Sequence, residues 1–262
     1  MDRAVYARGD WSSLIAIRSA KELELIREAN RIVACVLKRI ADTVRPGVTT
    51  AELDREAERL IRTMGATPSF KGYRGYPSSI CTSIDEGVVH GIPSERALVE
   101  GEIVSIDIGT DYRGYCGDAA VTVPVGEVSV EKRRLMRVTS RALELGVKAA
   151  RAGNRVTDIS RAVQTEVELN GFSVIRQFVG HGIGTSPHEE PQVPNFVADS
   201  KGPQLRTGMV LAVEPMVSAG SAEVEILADD WTAVTLDRKP AAHFEHTIAI
   251  RDGEPEILTL CE

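Results

Sequence analysis

Asp107, Asp118, His181, Glu214 and Glu245 stand in five short runs: SIDIG, CGDAA, GHGIG, AVEPM and FEHT. Four carboxylates to one imidazole is an oxygen-rich donor set. It suits a pair of hard or borderline divalent ions better than one structural zinc. Each acid lies beside glycine or within an apolar run, where an ionised carboxylate is costly unless paired or coordinated. If the five converge, the chemistry is two-metal hydrolysis. The ions would lie ~3.5–4 Å apart and lower the pKa of a bridging water, which attacks a carbonyl that a metal polarises. No GxSxG occurs and no cysteine sits in a local nucleophile signature, so a covalent enzyme intermediate has no support.

Asp107 and Asp118 are eleven residues apart, with Gly109, Gly114 and Gly117 between them. That suits two strands joined by a turn. Two neighbouring carboxylates repel, and a dication removes the cost. Taken alone, the pair also fits two exposed turn aspartates. His181 is flanked by small residues that let backbone approach and leave the ring accessible. His188 lies in PHEEP and His90 in VVHGIP, so three of the five histidines fall in glycine- or proline-bounded loops, as functional residues do. HEEP lacks the HExxH spacing of a thermolysin-type zinc helix. Pro215 holds Glu214 in extended geometry. Either glutamate, taken alone, also fits a partner for a buried arginine.

The elements that would position these residues are laid out twice. Residues 19–44 keep helical spacing behind a Ser19/Glu22 capping box. Thr49/Glu52 opens a second helix that stops at Gly65. Residues 130–151 and the helix through Ile159, Val163 and Val167 to Gly171 repeat the order at an offset of 106. LVEGEIVSID (98–107) aligns with LRTGMVLAVE (205–214) at an offset of 107, which sets Asp107 against Glu214. Residues 80–82, 119–125, 174–179 and 244–250 read as strands. In the last, Glu245, Thr247 and Ala249 share one face. The expectation is an α+β fold, a curved antiparallel sheet backed by helices and repeated over about 19–125 and 130–250. No GxGxxG and no GxxxxGK[ST] supports nucleotide binding.

Composition agrees with an ordinary globular protein: 262 residues, 43% hydrophobic and 26% charged. With 38 acids against 31 bases the net charge is −7, so no cationic field argues for nucleic acid. Lys132-Arg133-Arg134 reads as a solvated helix face. Cys35, Cys81, Cys116 and Cys261 show neither zinc-ribbon spacing nor a disulfide framework, which fits a reducing compartment. Residues 1–13 read as a short polar leader prone to fraying, without a signal-peptide core. No stretch approaches the length of a membrane span.

VVHGIP, SIDIG with an aspartate eleven residues on, GHGIG-x2-PHEEP, AVEPM and FEHT resemble the type I methionine aminopeptidases over about residues 14–260. The resemblance implies the pseudo-twofold pita-bread α+β fold in one catalytic domain, 14–262. It implies that Asp107 binds one metal, that His181 and Glu214 bind the other, and that Asp118 and Glu245 bridge. Glu214 would also handle the proton of the attacking water. His188 would contact the scissile carbonyl and His90 the substrate amide. A methionine pocket would be lined by Tyr73, Tyr76, Cys81 and Trp231. The implied reaction is removal of the initiator methionine from nascent chains whose second residue is small. It would take place in the cytoplasm, transiently near the ribosome, by a monomer carrying two divalent ions (Co, Mn, Fe or Zn). Arg74 stands where some members carry histidine, and Pro187 where an aromatic residue often lines the pocket, which implies a changed rim around the same methionine preference. Proline-specific relatives share the ligand pattern but usually carry an extra N-terminal domain. Type II relatives carry a large insertion where only twenty-six residues separate His188 from Glu214. A binding module that had lost catalysis would lack metal ligands, and none is missing.

Overall fold

The computed structural model describes residues 15–261. The expected leader at 1–13 lies outside them. Ser19 caps α1 (Ala20–Ala41) and Thr49 caps α2 (Thr50–Thr63), each through the expected reciprocal bond with Glu22 and Glu52. Ser129 caps α3 (Val130–Ala149), which α4 (Val156–Leu169) follows. The two pairs match in length, 22 and 14 residues against 20 and 14. Gly65 and Gly171 sit just past the second helix of each pair with left-handed backbone.

Between the helix pairs run β1 (Thr67–Pro68), β2 (Ile80–Ile84), β3 (Gly87–Val89), β4 (Ile103–Tyr112) and β5 (Tyr115–Pro124). After α4 come β6 (Ser173–Val174), β7 (Gly180–Gly182), β8 (Glu189–Val193), β9 (Val210–Val213) and β10 (Met216–Ser218). The chain ends in β11 (Val224–Ile226), β12 (Ala233–Thr235), β13 (Ala241–His243), β14 (His246–Ala249) and β15 (Glu256–Ile257). These strands form four antiparallel ladders: β1, β2 and β5 around β4; β13-β10-β6; β11-β12-β3; and β15-β14-β9-β7-β8. The halves meet where β5 passes β14. There Glu245 donates its N–H to the Ala120 carbonyl at 2.9 Å, and Thr247 Oγ1 donates to the Asp118 carbonyl at 2.8 Å.

Helix α1 crosses the β4–β5 hairpin at close range. A Cβ on Gly117 would stand 2.7 Å from the Ala29 backbone, so only glycine permits this approach. The approach lets buried Asn30 Oδ1 accept the Asp118 N–H at 3.1 Å. Gly117→Ala is therefore expected to push the helix off the hairpin, at a cost of about 1–3 kcal/mol. Urea melts of the metal-free protein would measure it, and an unchanged midpoint would contradict the packing described.

Several expectations need correction. Within 174–179 only Val174 belongs to a ladder. Beyond Ile175 the segment leaves the sheet, and Gln177, Phe178 and Val179 line a cavity. His181 lies in a short strand rather than a loop. Lys132 is not solvated: its ammonium meets Asp85 at 2.6 Å and donates to the Gly101 carbonyl. Cys35 and Cys261 are joined as a disulfide across 226 residues, a link that no local spacing could announce. Cys81 and Cys116 are free thiols.

Candidate metal centre

The β4–β5 hairpin turns through Arg113-Gly114, both with left-handed backbone. Its register pairs Asp107 with Ala120 and Gly109 with Asp118. The two aspartates thus sit diagonally on one face and are close enough to share a hydrogen bond. On the other flank Cys81 of β2 pairs with Asp107, which sets the thiol beside this carboxylate.

The second half supplies the rest. His181 pairs with Ala212, and Glu214 stands two residues further on. His181 Nε2 lies 3.4 Å from Glu214 Oε1. Its Nδ1 lies 2.9 Å from the Gly182 carbonyl, which places the ring proton there and leaves the Nε2 lone pair toward the acids. A Cβ on Gly182 would be 2.2 Å from the Glu190 carbonyl oxygen, so the glycine beside His181 lets β8 close on β7. Asn195 donates to the backbone carbonyl of Glu214 at 3.0 Å. Glu245 enters beside Ala120 through the bond that joins the two halves.

Ligand atoms of Asp118, His181 and Glu245 lie within 4.8 Å of one another, and so do those of Glu214, His243 and Glu245. Burial lifts Asp107 to about 7 and Glu214 to about 8. Burial, reinforced by neighbouring carboxylates, holds Asp118 and Glu245 well above the usual carboxylate range. Asp107 Oδ1, Asp118 Oδ1 and Glu245 Oε1 are buried with no hydrogen-bond partner. Orphaned acceptors at this density are costly, and among the described residues no arginine pairs with them. Four carboxylates and a neutral imidazole lone pair fit divalent cations.

The cluster floors a cavity of about 310 Å³. His90, His188, Tyr73, Tyr76, Cys81 and Trp231 all line it, together with Asp107, Asp118, His181, Glu214 and Glu245. Burial pushes His90 down to about 4 and His181 down to about 3. Burial also lowers His188, with the Arg74 charge adding to the effect. His90 sits edge-on against Phe178 and Trp231. His188 stacks on Tyr73, and its Nδ1 is 3.2 Å from the phenol oxygen. The turn before His188 is fastened by Glu189, which accepts from the Thr185 and Ser186 N–H groups and is paired with Arg18. Phe70, Tyr76 and Cys81 form an apolar cluster with Ile92 and Trp231. The Tyr76 hydroxyl donates inward, to the Ile80 and Gly91 carbonyls, so its ring contributes surface rather than polarity. Arg74 lines the cavity, lying 5.4 Å over the Tyr73 ring, whereas Pro187 does not line it.

Phe70, Phe178 and Met216 were not foreseen in the wall; as single apolar residues they carry no motif. His243 was not foreseen either. It ends β13 two residues before Glu245, which lies in the link to β14, and that short spacing was the available signal.

The sequence profile of metallopeptidase family M24 matches residues 24–252. The chain is 51% identical to methionine aminopeptidase 1 of Bacillus subtilis over 246 residues, 94% of this chain and 99% of that protein. It is 52% identical to the methionine aminopeptidase of Clostridium acetobutylicum over 250 residues, covering 95% of this chain and all of that one. The crystal structure of a methionine aminopeptidase from Thermotoga maritima superposes with a TM-score of 0.93 at 44% identity, over 95% of this chain and 100% of that chain.

Proposed function

The chain belongs to metallopeptidase family M24, among its methionine aminopeptidases, and from that premise we propose how its cavity releases an N-terminal methionine. The chain is a metal-dependent aminopeptidase with the pita-bread fold. Asp107, Asp118, His181, Glu214 and Glu245 would together hold two divalent ions. The observation that carries this reading is the set of orphaned carboxylate oxygens buried at the floor of one cavity. When bound, the ions supply Lewis acidity and an attacking water of lowered pKa.

The side chains do the rest. Glu214, whose own proton the bound ions would displace, would accept the proton of the attacking water and return it to the leaving nitrogen. His188, kept neutral and oriented by Tyr73, hydrogen-bonds the scissile carbonyl as charge develops on its oxygen. His90, neutral to about pH 4, contacts the substrate amide nitrogen. Tyr76, Cys81 and Trp231 receive the methionine side chain, with Tyr73 at the mouth. Burial raises the Cys81 thiol well above its ordinary value, so it stays a soft apolar contact. Substrates are nascent chains whose second residue is small, met in the cytoplasm near the ribosome by a monomer. The single working unit comprises residues 14–262. The Cys35–Cys261 link faces reducing thiols in that compartment, and neither cysteine lines the cavity.

The test is release of the first residue from Met-Ala-Ser, norleucyl-Ala-Ser and Leu-Ala-Ser by chelated and reloaded protein. Methionine and norleucine should be released only with Co, Mn, Fe or Zn. Branched leucine should react at least ~10-fold more slowly, the usual worth of a misplaced methyl group. Equal rates for leucine and methionine would overturn the pocket assignment, and no release with any ion would overturn the function. Arg74, exposed and lining the cavity beside Tyr73, would add positive charge at the rim.

A further inference from the structure

His243 belongs to neither the five expected ligands nor the two expected catalytic histidines. It closes β13 and is 1% exposed. Its backbone is clamped from both sides by one hydroxyl. The His243 N–H donates to Thr122 Oγ1 at 2.8 Å, and that hydroxyl donates back to the His243 carbonyl at 2.8 Å. Thr122 stands on β5, four residues beyond Asp118. Register with Met216 fixes the other edge of the strand. The ring thus has a defined place against the acids. Nε2 is 3.4 Å from Glu214 Oε2 and 4.0 Å from Glu245 Oε2, and it is buried without a hydrogen-bond partner.

Glu214 is therefore held between two imidazoles, with Oε1 facing His181 and Oε2 facing His243. The two rings are not equivalent. His181 spends its Nδ1 proton on a backbone carbonyl, so its Nε2 offers a lone pair to an ion. An ionised carboxylate oxygen can only accept. A proton on His243 Nε2 facing Glu214 Oε2 would give both buried atoms a partner.

We propose that His243 is a positioning residue for Glu214: its Nε2–H donates to Oε2, which leaves Oε1 to be presented with His181 to an ion. This rests on the metal assignment above and assigns His243 a role in addition to it. A carboxylate ligand with its second oxygen tied has one orientation rather than several, and removing such a partner typically costs 10–100-fold in metal affinity.

The experiment is calorimetric titration of Mn²⁺ into metal-free wild type, His243→Gln and His243→Leu, with electron spin echo spectroscopy of the loaded proteins. Glutamine keeps an N–H donor at similar reach and should bind within about threefold of wild type. Leucine fills the space without a donor and should weaken one binding event by ~10–100-fold. The echo should report one coordinated nitrogen, from His181, in wild type and in the glutamine variant. Two nitrogens in wild type falling to one in His243→Gln would make His243 a ligand and overturn the proposal. Wild-type affinity in His243→Leu would reduce it to a space filler. Should the leucine variant not fold, His243→Asn is polar but too short to reach Glu214, and the same loss is expected; undiminished affinity there overturns the proposal equally. Wild type that binds no Mn²⁺ at all refutes the metal assignment itself, and this proposal with it, an outcome distinct from either variant result.

Discussion

Asp118→Asn is expected to abolish binding of the ion pair and to lower kcat/KM on Met-Ala-Ser by at least ~10³-fold, at the upper end of what loss of one preorganised electrostatic group costs. The fold should survive, because Asp118 is fixed through its backbone. Its N–H goes to Asn30 and its carbonyl accepts from Thr247, and neither bond involves the carboxylate. The side chain differs. Oδ1 is buried without a partner, and its neighbours Asp107, Glu214 and Glu245 are all acidic. Asparagine is nearly isosteric and stays neutral. The metal-free variant should therefore melt no lower than metal-free wild type, since burial and the neighbouring carboxylates already favour the uncharged form of Asp118. The gain in melting temperature on adding metal should shrink, because that gain measures ion affinity. Metal analysis, thermal melts with and without Mn²⁺, and peptide kinetics together separate loss of the site from loss of the fold. Full activity in Asp118→Asn would refute its bridging role.

What the sequence made legible was local. The capping boxes at Ser19 and Thr49 are decided within four residues, and both form. The Asp107–Asp118 pairing depends on one hairpin, whose glycine spacing was visible. The duplication foresaw that carboxylates from the two halves would meet, and it did so through helix stops and strands rather than any single motif. Contacts made across the chain were not legible. Cys35 and Cys261 lie in α1 and near the end of the described residues, and only the fold brings their Cα atoms to 5.0 Å. Lys132 sits in a basic run that reads as solvated, yet Asp85, forty-seven residues earlier, captures it. His243 is an intermediate case. Its spacing from Glu245 was readable, but its importance depends on Glu214, which arrives from a different ladder. Residues 174–179 show the converse error. Their β-forming composition was real, but the segment lines a cavity and has no strand to pair with beyond its first residues.

Removing the metal should make stability depend on pH in a way that metal-loaded protein does not share. Asp107 at about 7 and Glu214 at about 8 keep protons in the folded protein that the unfolded chain releases near pH 4. Asp118 and Glu245 are raised in the same direction. The folded state then binds more protons than the unfolded one, so stability falls as pH rises toward those folded values. The histidines act oppositely. Burial lowers His90, His181, His188, His243 and His246, so they cost stability only as pH falls below their unfolded value near 6.5. Below about pH 6.5 the two sets oppose each other, and above it the carboxylates act alone. Each proton retained by the fold is worth up to about 1.4 kcal/mol per pH unit, so one net proton between pH 6.5 and 8 costs about 2 kcal/mol. For a chain of this size that is a fall of roughly 4–8 °C in Tm. Bound dications take the place of those protons, so the loaded protein should show no such fall, and the stabilisation by metal should grow with pH. Melts in chelator and in Mn²⁺ at pH 6.5 and pH 8 measure both slopes. A chelated protein equally stable at the two pH values would mean that the four carboxylates are not buried together without compensation, and would remove the electrostatic reason for the site to take up metal.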